Sequence, residues 1–348
     1  MKATVLHAPG DIRVDELPDP AIVAPTDALV RITAACVCGS DLWPYRGIND
    51  VPEPARIGHE FVGLVEEVGT EVTTVRPGDF VVAPFMYSDN TCPHCRAGIQ
   101  SACATGGFWG GTDRDGRRVD GGQGEYARVP LADGTLVATS EVPSDDLVPS
   151  LLALSDVMGT GWHAAVAAGV QRGDTVVVVG DGAVGLCGVL SAAQLGAGRI
   201  VAMSRHASRQ AIARRFGATD VVAERGDDAV AAVTELTDGV GADAVLECVG
   251  TGEAMTTAIR VARPGATVGY VGVPHGVELP VRAMFSRNVG VAGGVAPVRE
   301  YLPMLRDLVL AGDIDPGVVF DLEVPLAEVA EAYAAMDERR AIKSLIRT

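Results

Sequence analysis

Residues 175–185, TVVVVGDGAVG, join a continuous apolar run to a glycine-rich loop. The run has the length and the valine content of a strand that is buried on both faces of a parallel sheet. Residues 183–197 follow it with helical periodicity. Gly180, Gly182 and Gly185 form a G-x-G-x-x-G frame between the predicted strand and helix, which is the context in which this motif binds a dinucleotide. A plain turn with close packing is the alternative interpretation.

Strands and helices continue to alternate on the C-terminal side of this loop. Further strand patterns occupy residues 199–204, 220–222, 242–250 and 265–273, and helical patterns occupy residues 208–218 and 229–236. Such an alternation predicts an α/β domain with a doubly wound parallel sheet and right-handed crossovers.

The sequence on either side of this region has a different character. Residues 1 to about 150 contain short, valine-rich runs punctuated by glycine and proline, which predict strands and turns of a β-rich or partly open barrel region. After about residue 295 the patterns predict a helix, a strand, a second helix and a terminal apolar segment, 341–347.

Length and charge limit the classes of function. A chain of 348 residues is longer than a single hydrophobic core usually accommodates, so we expect two domains. The net charge of −17 argues against nucleic acid or an anionic membrane as partner, and a solvated surface is the favoured explanation of the acidity. No signal peptide or membrane span is expected. The seven cysteines form an odd set, which favours reduced thiols or metal ligands and a cytoplasmic location.

The end of the second strand of the alternating region bears on the cofactor. An acidic residue about 20 positions after the glycine loop grips the ribose 2′-hydroxyl of NAD. Here Ser204, Arg205 and Arg209 follow the strand, with no carboxylate among them. A serine and an arginine can bind a 2′-phosphate through charge-assisted hydrogen bonds, so NADP is favoured over NAD. The alternative is that these residues are a solvated helix start.

Three cysteines in residues 88–103, SDNTCPHCRAGIQSAC, have the spacing of a metal knuckle that lacks one ligand. Cys92, Cys95 and Cys103 could hold a zinc with a fourth donor nearby, and His94 could compete as a donor. Alternatively, Cys92 and Cys95 could be a redox pair, with Cys103 taking no part. The redox interpretation is weaker, because the C-x-x-C pair does not open a helix after a strand.

Four further residues, taken one at a time, give little information about function. Cys38 in CVCGSDLW, His59 and Glu60 in RIGHEFVG and Asp156 in LSDVMGTGW could each have an ordinary structural role. In combination with the glycine motif, their order and spacing resemble the zinc-dependent alcohol dehydrogenases of the medium-chain dehydrogenase/reductase superfamily, over essentially the whole chain.

The resemblance implies a GroES-like catalytic domain at residues 1–154, with a structural zinc lobe at about 88–104. A Rossmann domain is then expected at residues 155–294, and residues 295–348 would return to the first domain.

The resemblance also implies site residues. The catalytic zinc ligands would be Cys38, His59 and Asp156, with Glu60 as a supporting or exchanging ligand. Ser40 would begin the proton relay, in which Trp43 replaces the histidine that many members carry.

A second, structural zinc is implied at the knuckle, because the family's first cysteine position falls on Asp89, an acceptable ligand beside Cys92, Cys95 and Cys103. The substrate cleft would be lined by Phe85, Phe108 and Trp109, for which core packing is the alternative. The residues implied to contact the cofactor are Thr160, Gly180, Gly182, Ala183, Val184, Gly185, Ser204, Arg205, Arg209, Val249, Val271, Val273 and Lys343, the last on the pyrophosphate.

The expected function is hydride transfer between NADP(H) and a small alcohol, aldehyde or ketone, in a homodimer or homotetramer. Two alternatives stand beside it. One is a zinc-free quinone or enoyl reductase of the same superfamily, which lacks the catalytic ligands. The other is a non-catalytic, crystallin-like protein that binds NADPH.

Overall fold

The computed structural model describes residues 1–50 and 54–348. Its contacts divide the chain into two units. Unit 1 comprises Met1–Asp156 and Pro297–Thr348, and unit 2 comprises Val157–Ala296. The domain boundaries expected from the sequence are 154/155 and 294/295.

The first segment of unit 1 is built of strands and short helices. The strands are β1 (Lys2–Ala8), β2 (Asp11–Glu16), β3 (Ala28–Cys36), β4 (Ala55–Arg56), β5 (Phe61–Val68), β6 (Phe80–Ala83), β7 (Met86–Tyr87), β8 (Gly107–Phe108), β9 (Tyr126–Val129) and β10 (Val137–Ala138). The α-helices are α1 (Leu42–Tyr45), α2 (Pro93–Arg96), α3 (Ala132–Thr135) and α4 (Val148–Ala153).

Unit 2 alternates helix and strand. Its elements are α5 (Val157–Ala168), β11 (Thr175–Val179), α6 (Ala183–Gln194), β12 (Arg199–Met203), α7 (Ala207–Arg215), β13 (Asp220–Val222), α8 (Gly226–Leu236), β14 (Ala242–Glu247), α9 (Gly252–Val261), β15 (Ala262–Tyr270), α10 (Val281–Arg287) and β16 (Gly290–Gly293). The strands form one six-stranded sheet in the order β13-β12-β11-β14-β15-β16, and every pair is parallel. The predicted doubly wound parallel sheet is confirmed.

Burial on both faces explains why four of the five residues of the central strand β11 are valine. Val177 and Val179 of β11 pack in a core cluster with Met255 of α9. Val178 points the other way, toward Gly188 of α6. Successive side chains of a strand alternate between faces, so a strand covered by helices on both sides needs an apolar residue at each position.

The chain then returns to unit 1 through α11 (Val298–Ala311), β17 (Leu322–Pro325), α12 (Val329–Asp337) and β18 (Ser344–Arg347). In the seven-stranded sheet of this unit, β18 lies between β17 and β3, and β3 also pairs with β5 and β9. The last strand of the chain therefore completes the β-rich domain, as the predicted GroES-like fold requires. No helix in the described part of the chain is both long enough and apolar enough to span a membrane.

Candidate functional site

The strands of unit 1 bring four potential metal ligands together. Cys38 follows β3, His59 and Glu60 precede β5, and Asp156 ends the first segment of the unit. One donor atom from each of the four side chains lies within 4.8 Å of the others. The Cys38 thiol is 3.5 Å from Oδ2 of Asp156, and Nε2 of His59 is 3.6 Å from the same oxygen.

A fifth residue, Asp41, orients the imidazole of this cluster. Its Oδ1 lies 3.2 Å from Nδ1 of His59, while its Oδ2 accepts a hydrogen bond from the backbone N–H of Cys38 at 2.9 Å. A carboxylate on Nδ1 leaves Nε2 as the nitrogen that faces Cys38 and Asp156, the arrangement typical of a metal-binding histidine. The sequence analysis missed this role, although Asp41 lies in the same CGSD motif as Cys38.

The electrostatics of the cluster favour a cation. Burial raises the pKa of Cys38, and the carboxylate of Asp156 raises it further. Burial lowers the pKa of His59, but the charges of Asp41 and Cys38 outweigh it and hold the pKa well above its ordinary value. Acidic groups crowded around one imidazole in a buried position are stabilised by a metal ion. The set of thiol, imidazole and carboxylate donors fits zinc and includes the three-ligand set of a catalytic site.

Glu60 is completely buried and makes an ion pair with Lys343, whose Nζ lies 2.7 Å from its Oε1. Lys343 also donates to the carbonyl oxygen of Val37 at 3.2 Å, and only 1% of the residue is exposed. The ammonium group of Lys343 is thus engaged inside unit 1, and its predicted contact with the cofactor pyrophosphate stays a prediction. Its function in the structure is to neutralise Glu60 beside the donor cluster.

Two of the three aromatic residues predicted for the substrate cleft lie beside this cluster. The Phe85 ring is 6.3 Å from the His59 ring, and Phe108 stacks on Phe85 at 6.4 Å. Phe108 is 56% exposed, which is high for a phenylalanine. Trp109 belongs to the core instead: it packs edge-on against Phe61, and its Nε1 donates to a backbone oxygen. The prediction of a cleft role for Trp109 is corrected, since its neighbours enclose it.

The knuckle forms a second donor cluster. Asp89, Cys92, Cys95 and Cys103 each place one donor atom within 4.8 Å of the others, and His94 is not part of this group. The sulfur atoms of Cys92 and Cys95 are 3.6 Å apart. The carboxylate of Asp89 is held in place, because its Oδ1 accepts from the backbone N–H of Cys92 at 2.8 Å.

The thiols of this cluster have divergent proton affinities. Hydrogen bonds from the backbone of Ala104 and Cys95 lower the pKa of Cys92 to about 7. Burial and the neighbouring sulfur of Cys92 raise the pKa of Cys95. A thiol with a lowered pKa beside a thiol with a raised pKa indicates a site whose full ionisation needs a bound cation. One carboxylate and three thiolates are a chemically suitable set for a closed zinc site.

The glycine loop of unit 2 has the backbone geometry that its sequence predicts. Gly180 has φ 117°, a left-handed conformation that favours glycine. A Cβ at Gly185 would lie 2.1 Å from the carbonyl oxygen of Gly180, so only glycine allows α6 to approach the loop so closely. Beside Gly182, at the N-terminal end of α6 and just before Ala183 and Val184, no atom lies within 4 Å of a Cβ position. This open space at a helix N-terminus suits a phosphate group.

The side chains at the end of β12 are engaged by a residue of the glycine loop. Ser204 donates its hydroxyl hydrogen to Oδ2 of Asp181 at 2.7 Å. Arg209 approaches Oδ1 of the same carboxylate at 3.2 Å, whereas Arg205 is exposed. The segment after β12 contains no carboxylate near this position, and Asp181 reaches it from the loop that follows the neighbouring strand β11.

A buried carboxylate, Glu247, organises the adjacent loop. Its Oε1 accepts from the backbone N–H groups of Val249 and Gly250 at 2.9 and 2.8 Å, while Oε2 has no partner among the described residues. Val249 lies against the glycine loop, since a Cβ at Gly180 would be 2.8 Å from its Cγ2. The carbonyl oxygen of Val273 lies against Gly250. Val271 is half-buried and Thr160 is buried in α5, and their predicted cofactor contacts stay predictions.

Comparisons with known proteins agree with both units. The family model described as the alcohol dehydrogenase GroES-like domain matches residues 24–141, and the model described as zinc-binding dehydrogenase matches residues 183–310. Together they cover more than half of the chain.

Individual relatives match along nearly the full length. The chain is 36% identical over 341 residues to a "probable zinc-binding alcohol dehydrogenase" of Mycobacterium tuberculosis, covering 97% of this chain and 86% of the relative. It is 33% identical over 297 residues to an NADP-dependent isopropanol dehydrogenase of Clostridium beijerinckii, covering 83% of each. The solved alcohol dehydrogenase from Thermus sp. ATN1 has a TM-score of 0.91 at 32% identity, covering 100% of this chain and 99% of that one. The chain therefore belongs to the zinc-dependent alcohol dehydrogenase family of the medium-chain dehydrogenase/reductase superfamily.

Proposed function

We propose that this oxidoreductase transfers a hydride between NADP(H) and a small apolar or aromatic alcohol or carbonyl compound, using a zinc ion held by Cys38, His59 and Asp156. The observation that carries the proposal is the donor cluster, with Asp41 on Nδ1 of His59 at 3.2 Å. A zinc ion held there would act as a Lewis acid that polarises the substrate oxygen.

The chain's own residues would manage the proton. Oxidation of an alcohol releases a hydride from carbon and a proton from the hydroxyl group. Ser40, in the turn Gly39–Asp41 directly after Cys38, is half-buried and carries a hydroxyl that can accept that proton and pass it on. Trp43 cannot continue the relay, because an indole N–H donates but does not accept. Water or a ribose hydroxyl is then required beyond Ser40.

Glu60 and Lys343 would keep the charge of the site balanced. Burial lowers the pKa of Lys343, but neighbouring acidic groups, Glu60 among them, outweigh burial and hold it well above its ordinary value. Lys343 therefore stays protonated beside Glu60. A neutralised Glu60 leaves Cys38 and Asp156 as the anionic ligands, which suits a divalent cation.

The preference for NADP rests on Arg205. Its guanidinium group is exposed directly after β12, where a 2′-phosphate would lie in a dinucleotide-binding fold. The NADP-dependent isopropanol dehydrogenase among the relatives is consistent with the same preference.

The substrate preference rests on Phe85 and Phe108. Their stacked rings beside His59 offer an apolar surface that cannot hydrogen-bond the hydroxyl groups of a polyol. We expect an aromatic aldehyde to give a higher kcat/KM than a ketose, measured as consumption of NADPH.

The experiment that tests the proposal is a count of zinc per chain, by mass spectrometry, on protein purified without added metal, combined with the aldehyde assay before and after chelation. Two zincs per chain and activity that chelation abolishes and zinc restores are expected. The variant Cys38→Ser should lose one zinc and the activity, whereas Cys187→Ser, a buried cysteine of unit 2, should lose neither.

Other results would favour the alternatives. Aldehyde-independent reduction of a quinone or an enoyl compound that survives complete removal of zinc would indicate a zinc-free reductase. Binding of NADPH without turnover of any carbonyl compound would indicate a non-catalytic protein.

A further inference from the structure

The loop that is expected to hold the cofactor contains a carboxylate that opposes a 2′-phosphate. Asp181 stands between the first two glycines of the motif, and only 13% of its side chain is exposed. From the loop after β11 it accepts hydrogen bonds from Ser204, which follows β12, and from Arg209 of α7.

These contacts engage hydrogen-bond donors of Ser204 and Arg209 that a 2′-phosphate would otherwise use. Ser204 has a single hydroxyl hydrogen, and Asp181 accepts it at 2.7 Å. Arg209 directs Nη1 at both Oδ1 and the backbone oxygen of Asp181, at 3.2 and 3.3 Å. Arg205, which is exposed, is the cation that remains directed to solvent after β12.

The charges point in the same direction. A phosphate monoester carries close to two negative charges at neutral pH, and a fixed carboxylate a few ångströms away repels it. The 2′-hydroxyl of NAD carries no charge and can donate a hydrogen bond to a carboxylate. Asp181 thus disfavours NADP at the position where Arg205 favours it.

We propose that Asp181 is a specificity-determining residue for the cofactor, which reduces the selectivity for NADP(H) over NAD(H) by holding Ser204 and Arg209 and by repelling the 2′-phosphate. The proposal rests on the nucleotide site of the proposed function. The repulsion of the 2′-phosphate by Asp181 opposes its attraction by Arg205, so we expect the wild-type protein to bind both cofactors.

The test compares the dissociation constants of NADPH and NADH, because the two ligands differ only in the 2′-phosphate. Each is titrated by nicotinamide fluorescence into the wild type and Asp181→Asn. Asparagine keeps the shape and one acceptor oxygen but removes the charge. We expect NADPH to bind about tenfold more tightly to the variant and NADH to change by less than about threefold, with the difference shrinking at high ionic strength.

Glu235→Gln is the matched control. Glu235 is exposed near the C-terminal end of α8, where the neighbouring Leu236 accepts a hydrogen bond from Arg199 at the start of β12, whereas the glycine loop meets the other end of that strand. Its removal therefore changes the net charge equally without touching the loop. The ratio of the two dissociation constants should stay at the wild-type value in this variant.

Two outcomes would overturn the inference. An unchanged ratio in Asp181→Asn, or a shift toward NADH, would mean that the carboxylate does not act on the phosphate. The double variant Asp181→Asn/Arg209→Gln should lose some of the NADPH affinity that Asp181→Asn gains. If its affinity for NADPH equals that of Asp181→Asn, the contribution assigned to Arg209 is refuted. A wild-type protein that binds neither nucleotide would instead refute the proposed function, and with it the site on which this inference rests.

Discussion

The ammonium nitrogen of Lys343 lies 2.7 Å from Oε1 of Glu60, and neither side chain has more than 2% of its surface exposed. The two residues are 283 positions apart in the sequence. Lys343 directly precedes β18, Glu60 directly precedes β5, and β3 separates these strands in the sheet. The return of the chain to unit 1 therefore supplies a charge that the donor cluster needs.

Replacing Lys343 with methionine should destabilise the protein by about 3–5 kcal/mol, since Glu60 would then be a buried charge without its partner. The double variant Lys343→Met/Glu60→Gln should recover much of that loss, because both members become neutral. The free energy of unfolding in urea is the measurement.

Arg46→Met supplies the comparison with an exposed pair. Arg46 and Asp337 are each about one-third exposed, so its loss should cost no more than about 1 kcal/mol. A double variant at Glu60 and Lys343 as unstable as Lys343→Met would contradict the explanation, because the cost would then arise from lost packing and not from an unpaired charge.

The substitution Asp41→Asn should weaken zinc binding at the catalytic cluster by about 10- to 100-fold, as is typical when the partner of a ligating histidine is changed. Asparagine preserves the shape but removes the charge that Nδ1 of His59 faces at 3.2 Å. Competition with a fluorescent chelator measures the affinity.

Asp337→Asn removes one charge from the surface of the same unit and should leave the affinity unchanged. If Asp41→Asn bound zinc as tightly as the wild type, Asp41 would have no part in orienting His59 for a metal.

Two variants at Asp89 separate its possible functions in the knuckle. Asparagine can still accept hydrogen bonds from the backbone N–H groups of Thr91 and Cys92, which Asp89 binds at 2.7 and 2.8 Å, but it is a poor zinc ligand. We expect Asp89→Asn and Asp89→Ala both to reduce the zinc content from two per chain to one during dialysis against a weak chelator.

Asp115→Asn, in an exposed loop of the same unit, should retain both zincs. Full retention of zinc in Asp89→Asn together with loss in Asp89→Ala would assign Asp89 to the turn and not to the metal.

Arg205→Ala tests the cofactor preference from the opposite side to Asp181. Loss of one charge-assisted contact to the 2′-phosphate should weaken NADPH by about 10- to 100-fold and NADH by much less. Arg214→Ala is the control, because Arg214 is exposed at the C-terminal end of α7. Equal weakening of both cofactors would refute the assignment of Arg205 to the phosphate.

The sequence predicted features that depend on short segments. The valine run of β11 needs apolar residues on both faces, and the glycine loop needs Gly180 and Gly185 for reasons that lie within a few residues of the chain. The donors Cys38, His59 and Asp156 were found through a resemblance whose motifs are also local. Each of these features can be recognised from a motif of a few neighbouring residues.

The features that the sequence did not predict depend on strand order. Nothing near Lys343 in the sequence indicates that it faces Glu60, and its position near the C-terminus was compatible with a pyrophosphate contact. Asp181 is 23 residues from Ser204, and the two meet because β11 and β12 are parallel neighbours. Long-range pairing brings these charges together, and periodicity carries no information about it.

The pH dependence of stability should reveal the buried carboxyl of Glu247. Burial raises its pKa, although hydrogen bonds from the backbone N–H groups of Gly250 and Val249 oppose the rise. A carboxyl whose pKa is higher in the folded state than in the unfolded state binds its proton more strongly when folded. Its ionisation therefore costs stability at neutral pH, and that cost disappears as the pH falls below the unfolded-state pKa.

The variant Glu247→Gln keeps an acceptor for both backbone N–H groups but has no charge. At pH 8 the variant should be at least as stable as the wild type. As the pH falls from 8 toward 4, the stability of the wild type should rise relative to that of the variant. Melting temperatures of the two proteins across that range measure the difference. A difference that does not change with pH would mean that Glu247 is protonated throughout or has the same pKa in both states, and a gain of the variant at low pH would reverse the sign derived from burial.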